Sequence, residues 1–367
     1  MQDKKKKDTG KTSLSVNKGI PQPPAVNPQF TGKARKRKRR YSVSEYVEGI
    51  LEGNISLLSQ AITLVESNKD EHFDLAQKIV EGCLPHGTDS VRIGITGVPG
   101  AGKSTFIETL GKKITAMDRK LAVLAIDPSS EKSLGSILGD KTRMEALAND
   151  PHAFIRPSPS AGSLGGVARK TRESIILCEA AGFNTIFVET VGVGQSETMV
   201  HSMVDFFLLL MISGAGDELQ GIKRGIMEMA DTIVINKADA NNIHRAELTK
   251  AEFQNALSLF PPNKSGWKPR VLTCSALEVR GINEIWDTIR EQIELTKNND
   301  FFYKKRKQQF VIRMHDTINE NLKSSFYNDP EIKKILPCLE SDLYNGKITS
   351  YSAAAEMLNK YYKKKDH

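Results

Sequence analysis

The 367-residue sequence has no uninterrupted apolar run near the roughly 18 residues that cross a bilayer, and no short apolar segment follows its basic start. Membrane insertion and secretion are therefore not expected. Cysteine is scarce: Cys83, Cys178, Cys274 and Cys338 stand far apart with no C-x-x-C pair. That excludes a disulfide scaffold and reads as reduced, mostly buried thiols in a reducing compartment. His72, His86, His152, His201, His244, His315 and His367 are equally scattered, so neither a His-rich metal tract nor a compact Cys/His site is present, and His201 reads as a packed or surface residue. Positive charge looks abundant at +8, yet residues 1–40 carry 13 Lys or Arg against 2 Asp, which leaves 39 against 42 in residues 41–367. The basicity thus belongs to a tail ending in KARKRKRR at 33–40, rich in Lys, Pro, Gly and Asn and nearly free of large apolar residues, as disordered segments are. Such a tail most often only solvates. RNA, an acidic partner or a membrane surface stays open for it, but nucleic acid is not expected as the partner of the near-neutral folded part.

Within the remainder, Gly97-Val98-Pro99-Gly100-Ala101-Gly102-Lys103-Ser104 fits G-x-x-x-x-G-K-[ST] at every fixed position and follows VRIGIT at 91–96, an apolar, β-branched run. A buried strand feeding a glycine-rich turn lets successive main-chain N–H groups converge on phosphate oxygens. Lys103 then reaches the β and γ phosphates, while Ser104, with Thr105 beside it, opens a helix and offers a hydroxyl to Mg2+. A nucleoside triphosphate is the expected ligand; an ordinary Gly-rich turn rarely fills all these positions in this order of elements.

The base is indicated farther along, where DTIVINKAD at 231–239 ends in Asn236-Lys237-Ala238-Asp239, the N-K-x-D arrangement of guanine-specific folds. A carboxylate at Asp239 can accept hydrogen bonds from both N1–H and the exocyclic amine of guanine. Adenine has an acceptor at N1 and no amine beside it, so the carboxylate would stay unpaired. Losing such a partner costs about 2–5 kcal/mol, roughly one to three decades or more in affinity, which favours GTP over ATP. The main chain of Ser275 and Ala276 in VLTCSA at 271–276, with Leu277 next to it, is expected to complete the base pocket.

LAVLAID at 121–127, NTIFVET at 184–190 and DFFLLLMI at 205–212 are near-continuous apolar runs, the pattern of strands buried on both faces of a parallel sheet. Helical stretches at about 103–117, 165–181, 219–230, 245–259 and 281–296 alternate with them. The expectation is an α/β fold of the P-loop NTPase type, doubly wound and mostly parallel, with its ligand at the carboxyl ends of the strands.

Two carboxylates stand at such ends. Asp127 closes the strand after the P-loop helix, and Glu189 closes the next and begins Glu189-Thr190-Val191-Gly192. Either can hold Mg2+ directly or through water, and the Gly192 amide can approach a γ-phosphate because no Cβ obstructs it. A helix or turn cap is the alternative for both acids. Val193 occupies the place where many small GTPases keep a water-orienting glutamine, so slow intrinsic hydrolysis is expected, with Gln195 or a partner-induced rearrangement supplying the positioning.

These motifs, together with AITLVES at 61–67, AIDPSS at 125–130, GDKTRM at 139–144, RPSPSAGSLGGVA at 156–168, ETVGVGQSE at 189–197 and GDELQGIKRG at 216–225, resemble the MeaB-type GTPases from about residue 45 to about 360. The resemblance implies a homodimeric GTP/GDP-binding metallochaperone of the adenosylcobalamin-dependent methylmalonyl-CoA mutase, gating cofactor delivery and ejecting inactivated cofactor. A sister client such as isobutyryl-CoA mutase, or the transport-linked ATPase of the older LAO/AO naming, stays open. It further implies Mg2+-linked roles for Ser104, Asp127 and the switch residue Asp140, a γ-phosphate role for Glu189 with Gly192, and a third switch over 216–224 with Asp217 and Lys223 as coupled charges. Ala161 and Met314 depart from the family pattern, away from nucleotide chemistry.

The flanks complete the outline. Val47, Ile50, Leu51, Ile55, Leu58, Ile62 and Val65 recur three or four apart across 44–66 and read as helix packed on the nucleotide domain. Phe310, Ile312, Met314, Ile318 and Leu322 mark a long C-terminal helical segment, with Pro330 and Pro337 expected to break it and a last helix near 350–362. The expected division is a disordered tail over 1–40, a helical extension over 41–88, a G domain over 89–296 and a helical arm over 297–367. Family resemblance makes that arm a dimerisation device, and a subdomain folded on its own monomer is the alternative. A bacterial cytoplasm is favoured over the mitochondrial matrix, because the Lys-rich tail with Asp3 and Asp8 lacks the look of a presequence.

Overall fold

The apolar runs become strands β1 (Val91–Gly97), β2 (Leu121–Asp127), β3 (Ala153–Pro159), β4 (Thr185–Thr190), β5 (Phe206–Ile212), β6 (Thr232–Asn236) and β7 (Arg270–Thr273). A computed structural model describes them within residues 41–87, 89–127, 144–159, 164–190, 196–214, 224–261 and 263–363. The strands form one sheet in the order β3-β2-β4-β1-β5-β6-β7, and every neighbouring pair is parallel. From β1 the chain crosses to β2 and β3, returns to place β4 between β2 and β1, and then passes to β5, β6 and β7 on the other side, so β1 lies at the switch between the two halves, where doubly wound folds open a crevice beyond the strand ends.

Helices α1 (Val43–Leu51), α2 (Ile55–Glu66), α3 (Asp70–Cys83), α4 (Lys103–Thr115), α5 (Glu145–Ala148), α6 (Leu164–Ala180), α7 (Ser196–His201), α8 (Arg224–Met229), α9 (Ile243–Ser258) and α10 (Ile282–Asn298) join and cover the strands. Burial explains why the sheet is apolar throughout: Ile93, Ile95, Phe187, Phe206 and Leu208 pack with Phe106 and Leu110 of α4 in one cluster. Met211, Ile233, Ile235 and Phe253 pack in another.

Several sequence expectations need correction. AFIRPSP is a strand, β3, although its prolines hide it from propensity; it lies at the end of the strand order, where a missing N–H is tolerated. The 44–66 stripe is not one helix, because Gly53 takes a left-handed φ of +78°. Asn54 then caps α2, its Oδ1 accepting from the Ser56 N–H at 3.0 Å and the Leu57 N–H at 3.2 Å. A further helix, α3, comes next, and Gln77 on it donates to Glu173 of α6 at 2.9 Å.

At the C-terminus, α11 (Phe301–Asn328) runs for 28 residues before α12 (Pro330–Tyr344) and α13 (Ser350–Lys363). Pro330 starts α12, where its missing N–H costs nothing, but Pro337 sits inside α12 and does not end it. Ile332, Leu339, Ala353 and Met357 give α12 and α13 a small core of their own.

The N-terminal ends of the strands carry a buried ionic lattice that docks α11. Arg92 donates to Glu179 at 2.8 and 2.9 Å. Arg306 of α11 donates to Asp205 at 2.9 and 2.6 Å and to the Ser90 carbonyl at 2.9 Å. Asp205 also accepts the Arg92 N–H at 2.8 Å, and Asp231 repeats the device one strand over by accepting the Phe207 N–H at 2.9 Å. Burial pushes the Asp205 carboxyl upward, but the Arg306 guanidinium, then Arg92, hold it below the usual carboxylate range.

Candidate nucleotide-binding site

The P-loop joins the end of β1 to the start of α4, and two of its glycines are dictated by contacts. A Cβ on Gly97 would collide with the Leu210 carbonyl of β5, which lies in register beside it. Gly102 caps α4 in the left-handed region at φ +83°, with Asn236 Nδ2 2.9 Å from where its Cβ would be. The loop closes with the Ala101 N–H donating to the Val98 carbonyl at 3.1 Å. The core side chains of α4 then fix the helix axis whose first turn presents Ser104, half-buried, and Thr105, exposed.

Lys103 lies along this loop, its ammonium donating to the carbonyls of Gly97 at 2.8 Å and Val98 at 3.3 Å. Burial lowers its pKa, while the carboxylates of Glu189 and Glu197 act in the opposite sense and favour the cation. Glu189 is half-buried and pairs in register with Ile95 on one side and Ala125 on the other. Next to it, the Thr190 hydroxyl donates to Thr96 Oγ1 at 2.7 Å, tying the ends of β4 and β1.

The N-K-x-D segment leaves β6 directly beside the P-loop. Asn236 is 2% exposed. Its amide donates to the Ala101 carbonyl at 2.8 Å, and its Oδ1 accepts from the Ala276 N–H at 3.1 Å and from Cys274 Sγ at 3.3 Å. One side chain thereby joins the phosphate loop to the loop after β7. Cutting it would leave buried main-chain groups unpaired, each worth about 1–3 kcal/mol. The Thr109 hydroxyl of α4 adds a second tie, donating to the Ala276 carbonyl at 2.9 Å.

Lys237 is exposed and turns the chain with φ +58°. Asp239 follows, half-exposed, and its Oδ2 accepts from the Ser275 hydroxyl at 2.9 Å. Ser275 Oγ accepts in turn from the Glu278 N–H at 3.1 Å, and Ser275 and Arg280 exchange main-chain hydrogen bonds at 3.0 Å. Arg280 also donates to the Ala238 carbonyl. Asp239 is thus oriented by a hydroxyl whose own lone pair is engaged, and Leu277, 80% exposed, forms the rim.

The structure therefore brings Gly97 to Thr105, Glu189, Asn236 to Asp239 and Ser275 to Leu277 to one end of the sheet. Asp140, Gly192 and Lys223 lie outside the described residues, as do Val193, Gln195, Asp217 and most of the third-switch segment, and the Asp127 side chain is likewise not described. Sequence reasoning gives no role to Thr109, whose partner is 167 positions away, nor to Glu197, whose only signal is its place in ETVGVGQSE. His201 is packed rather than ligating: its ring meets Phe207 edge-on at 5.5 Å, and burial, then the Lys305 charge, lowers its pKa to about 4. Cys83, Cys178 and Cys274 are buried free thiols, and Cys338 is an exposed one. No group of three or more His, Cys, Asp or Glu that could hold a metal occurs among the described residues. Among them, too, no helix is long and apolar enough to cross a membrane.

Comparison with known proteins agrees with this geometry. The family described as "Methylmalonyl Co-A mutase-associated GTPase MeaB" matches residues 58–331. The Mus musculus protein "Methylmalonic aciduria type A homolog, mitochondrial" is 44% identical over 336 residues, covering 89% of this chain and 81% of its own. "GTPase ArgK" of Escherichia coli is 50% identical over 248 residues, 68% of this chain and 75% of its own. A crystal structure of a "LAO/AO transport system kinase" superposes with a TM-score of 0.71 at 34% identity, covering 88% of this chain and 99% of that one. A parallel sheet with a P-loop at its switch point, a guanine-type loop tied to it, and relatives of this closeness lead to one conclusion: the chain is a guanine-nucleotide-binding GTPase of the MeaB family.

Proposed function

We propose that the chain uses GTP binding and hydrolysis to gate the handling of adenosylcobalamin by an acyl-CoA mutase, with methylmalonyl-CoA mutase as the client. The observation that carries the nucleotide half is the Asn236 bridge, which ties the loop after β1 to the loop after β7. The family description, which names methylmalonyl-CoA mutase, supports the client. The name of the structural neighbour favours a second reading, a transport-linked kinase, which Asp239 opposes by its fit to guanine.

In this reading Gly97 to Gly102 enclose the β-phosphate with main-chain N–H groups, and Lys103 leaves its two carbonyls for the β and γ oxygens. Asp239 takes the guanine edge, with Lys237 over the base face and Ser275, Ala276 and Leu277 closing the pocket. The donors at the phosphate end are hard oxygens, the Ser104 hydroxyl and the Glu189 carboxylate with Asp127 nearby on β2, a set that suits Mg2+ held together with nucleotide and water. Held by these residues, Mg2+ would supply neutralisation of the charge that grows between the β and γ phosphates. Gly192 and Asp140 would sense the γ-phosphate, and Asp217 with Lys223 would relay its loss to the client.

The assignment of 41–88, 89–296 and 297–367 as extension, G domain and arm is part of this proposal, as is a homodimer formed through the arm, for which the exposed Phe310, Val311, Met314 and Leu322 of α11 offer an apolar face. A bacterial cytoplasmic setting belongs to it too. The test is GTP turnover with and without purified mutase. Stimulation by the mutase, with GTP preferred to ATP at millimolar Mg2+, is expected; equal affinity for the two nucleotides removes the guanine assignment, and turnover indifferent to the mutase removes the client.

A further inference from the structure

One carboxylate near the P-loop has no role in the proposed nucleotide chemistry. Glu197 stands in the first turn of α7, is 3% exposed, and its Oε2 has no hydrogen-bond partner. Glu320 is the other carboxylate with such an oxygen among the described residues, and it keeps partial exposure on α11. Glu197 does not.

The helix that carries Glu197 is packed on the sheet. Val200, one turn on, is fully buried against β1 at Gly94, where a Cβ would come within 2.9 Å of Val200 Cγ1. The helix therefore lies tight on the strand that leads into the P-loop, and Glu197 acts on the Lys103 ammonium together with Glu189. A buried carboxylate oxygen left without a donor is unfavourable, and such a group in a folded protein calls for a partner, a water, an ion or a catalytic role. Phosphate oxygens cannot be that partner, because they are anionic acceptors like the carboxylate itself. A water carried at the nucleotide is a donor of the kind this oxygen lacks.

We propose that Glu197 is a positioning residue for hydrolysis, its Oε2 accepting a hydrogen bond from a water at the γ-phosphate end of the bound nucleotide. The inference rests on the nucleotide reading of the P-loop site. Two waters have the required chemistry, one bound to Mg2+ and one poised to attack the γ-phosphorus. In either case Glu197 makes no bond to phosphorus; by accepting the O–H it orients the water.

The Glu197→Gln variant keeps the shape and replaces one acceptor oxygen by an N–H donor. It is to be compared with the wild-type full chain by thermal melting without nucleotide, by titration of Mg2+ against fluorescent GTP and GDP analogues, and by single-turnover hydrolysis. The expected result is a melting temperature no lower than wild type, GDP affinity without Mg2+ unchanged, and hydrolysis slowed about a hundredfold. A Mg2+ midpoint raised about tenfold or more assigns the metal-bound water, and an unchanged midpoint with slow hydrolysis assigns the attacking water.

Hydrolysis and Mg2+ midpoint both at wild-type values overturn the inference, and so does a lowered melting temperature whose rate defect disappears on cooling, which marks a structural role. Glu197→Asp, with the carboxylate withdrawn by one methylene, should retain the Mg2+ midpoint better than Glu197→Gln; if it folds and hydrolyses at wild-type rate beside a slow Glu197→Gln, acceptor capacity is confirmed as the relevant property. If the wild-type chain itself fails to bind GTP, the site reading falls; if it binds and Glu197→Gln is indifferent, only this inference falls.

Discussion

At the N-terminal end of the sheet Arg92, Glu179, Asp205 and Arg306 satisfy one another, whereas at the carboxyl end Lys103 rests on two main-chain carbonyls and Glu197 carries an oxygen without a partner. Both ends bury charge. They differ in whether the fold itself completes the hydrogen bonding. Where it does, truncating one member strands the others, and the loss falls on stability. Where it does not, the groups contribute little to the empty protein and their value appears with a ligand. A substitution should therefore move unfolding free energy where the fold completes the group's bonds, as it also does for Asn236 at the carboxyl end, and nucleotide affinity where it leaves them open.

The sharpest attempt to break this division is Lys103→Ala. It should lower GTP affinity by about 5 kcal/mol, nearly four decades, while leaving the urea midpoint of the nucleotide-free chain where it was; calorimetric binding beside a denaturation curve reads both. Arg306→Ala inverts the pattern. With Asp205 and Glu179 left buried beside a missing guanidinium, about 4 kcal/mol of unfolding free energy should vanish, and GTP affinity measured under folded conditions should stay at the wild-type value. If affinity falls in parallel with stability, the two ends are coupled and the contrast fails.

Asp239→Ala should cost about 3 kcal/mol in GTP binding, two decades, without changing ATP binding, so that competition between the two nucleotides loses its bias. The smallest effect refines the contrast by pH. His201 is held neutral, with a folded pKa of about 4 against an ordinary 6.5, so the folded chain binds fewer protons than the unfolded one between those values. Stability is then present above pH 6.5 and lost as pH falls toward 4, by about 2 kcal/mol at pH 5. His201→Gln removes that part of the pH dependence, as urea unfolding at pH 7 and pH 5 would show.

The fold class is legible in the sequence because its signals are local. VRIGIT, NTIFVET and DFFLLLMI carry strand burial in most of their residues, and the P-loop pattern fixes a strand, a turn and a helix start within fifteen positions. The misses share a cause, since each depends on a partner the sequence does not name. AFIRPSP contains two prolines and is a strand only because β2 pairs with it. Gly53 breaks the 44–66 stripe where periodicity alone continues it, and Pro337 stays helical because α13 packs against α12. At the site, N-K-x-D marks Asn236 as a base-pocket residue, but its bonds to Ala101 and Ala276 span more than a hundred positions in one direction and forty in the other. Glu197 closes the ETVGVGQSE string, and only burial distinguishes it from an ordinary surface acid.

The Asn236 bridge has a kinetic consequence. Because one amide spans both loops, the purine slot and the phosphate nest share a common frame and need not be assembled in sequence. A nucleotide that enters triphosphate-first meets a base slot already at its final distance, and little ordering entropy is left for the second contact to overcome. Severing the bridge, as Asn236→Ala would, should turn one concerted docking step into two resolvable phases in stopped-flow binding, with the purine phase the slower.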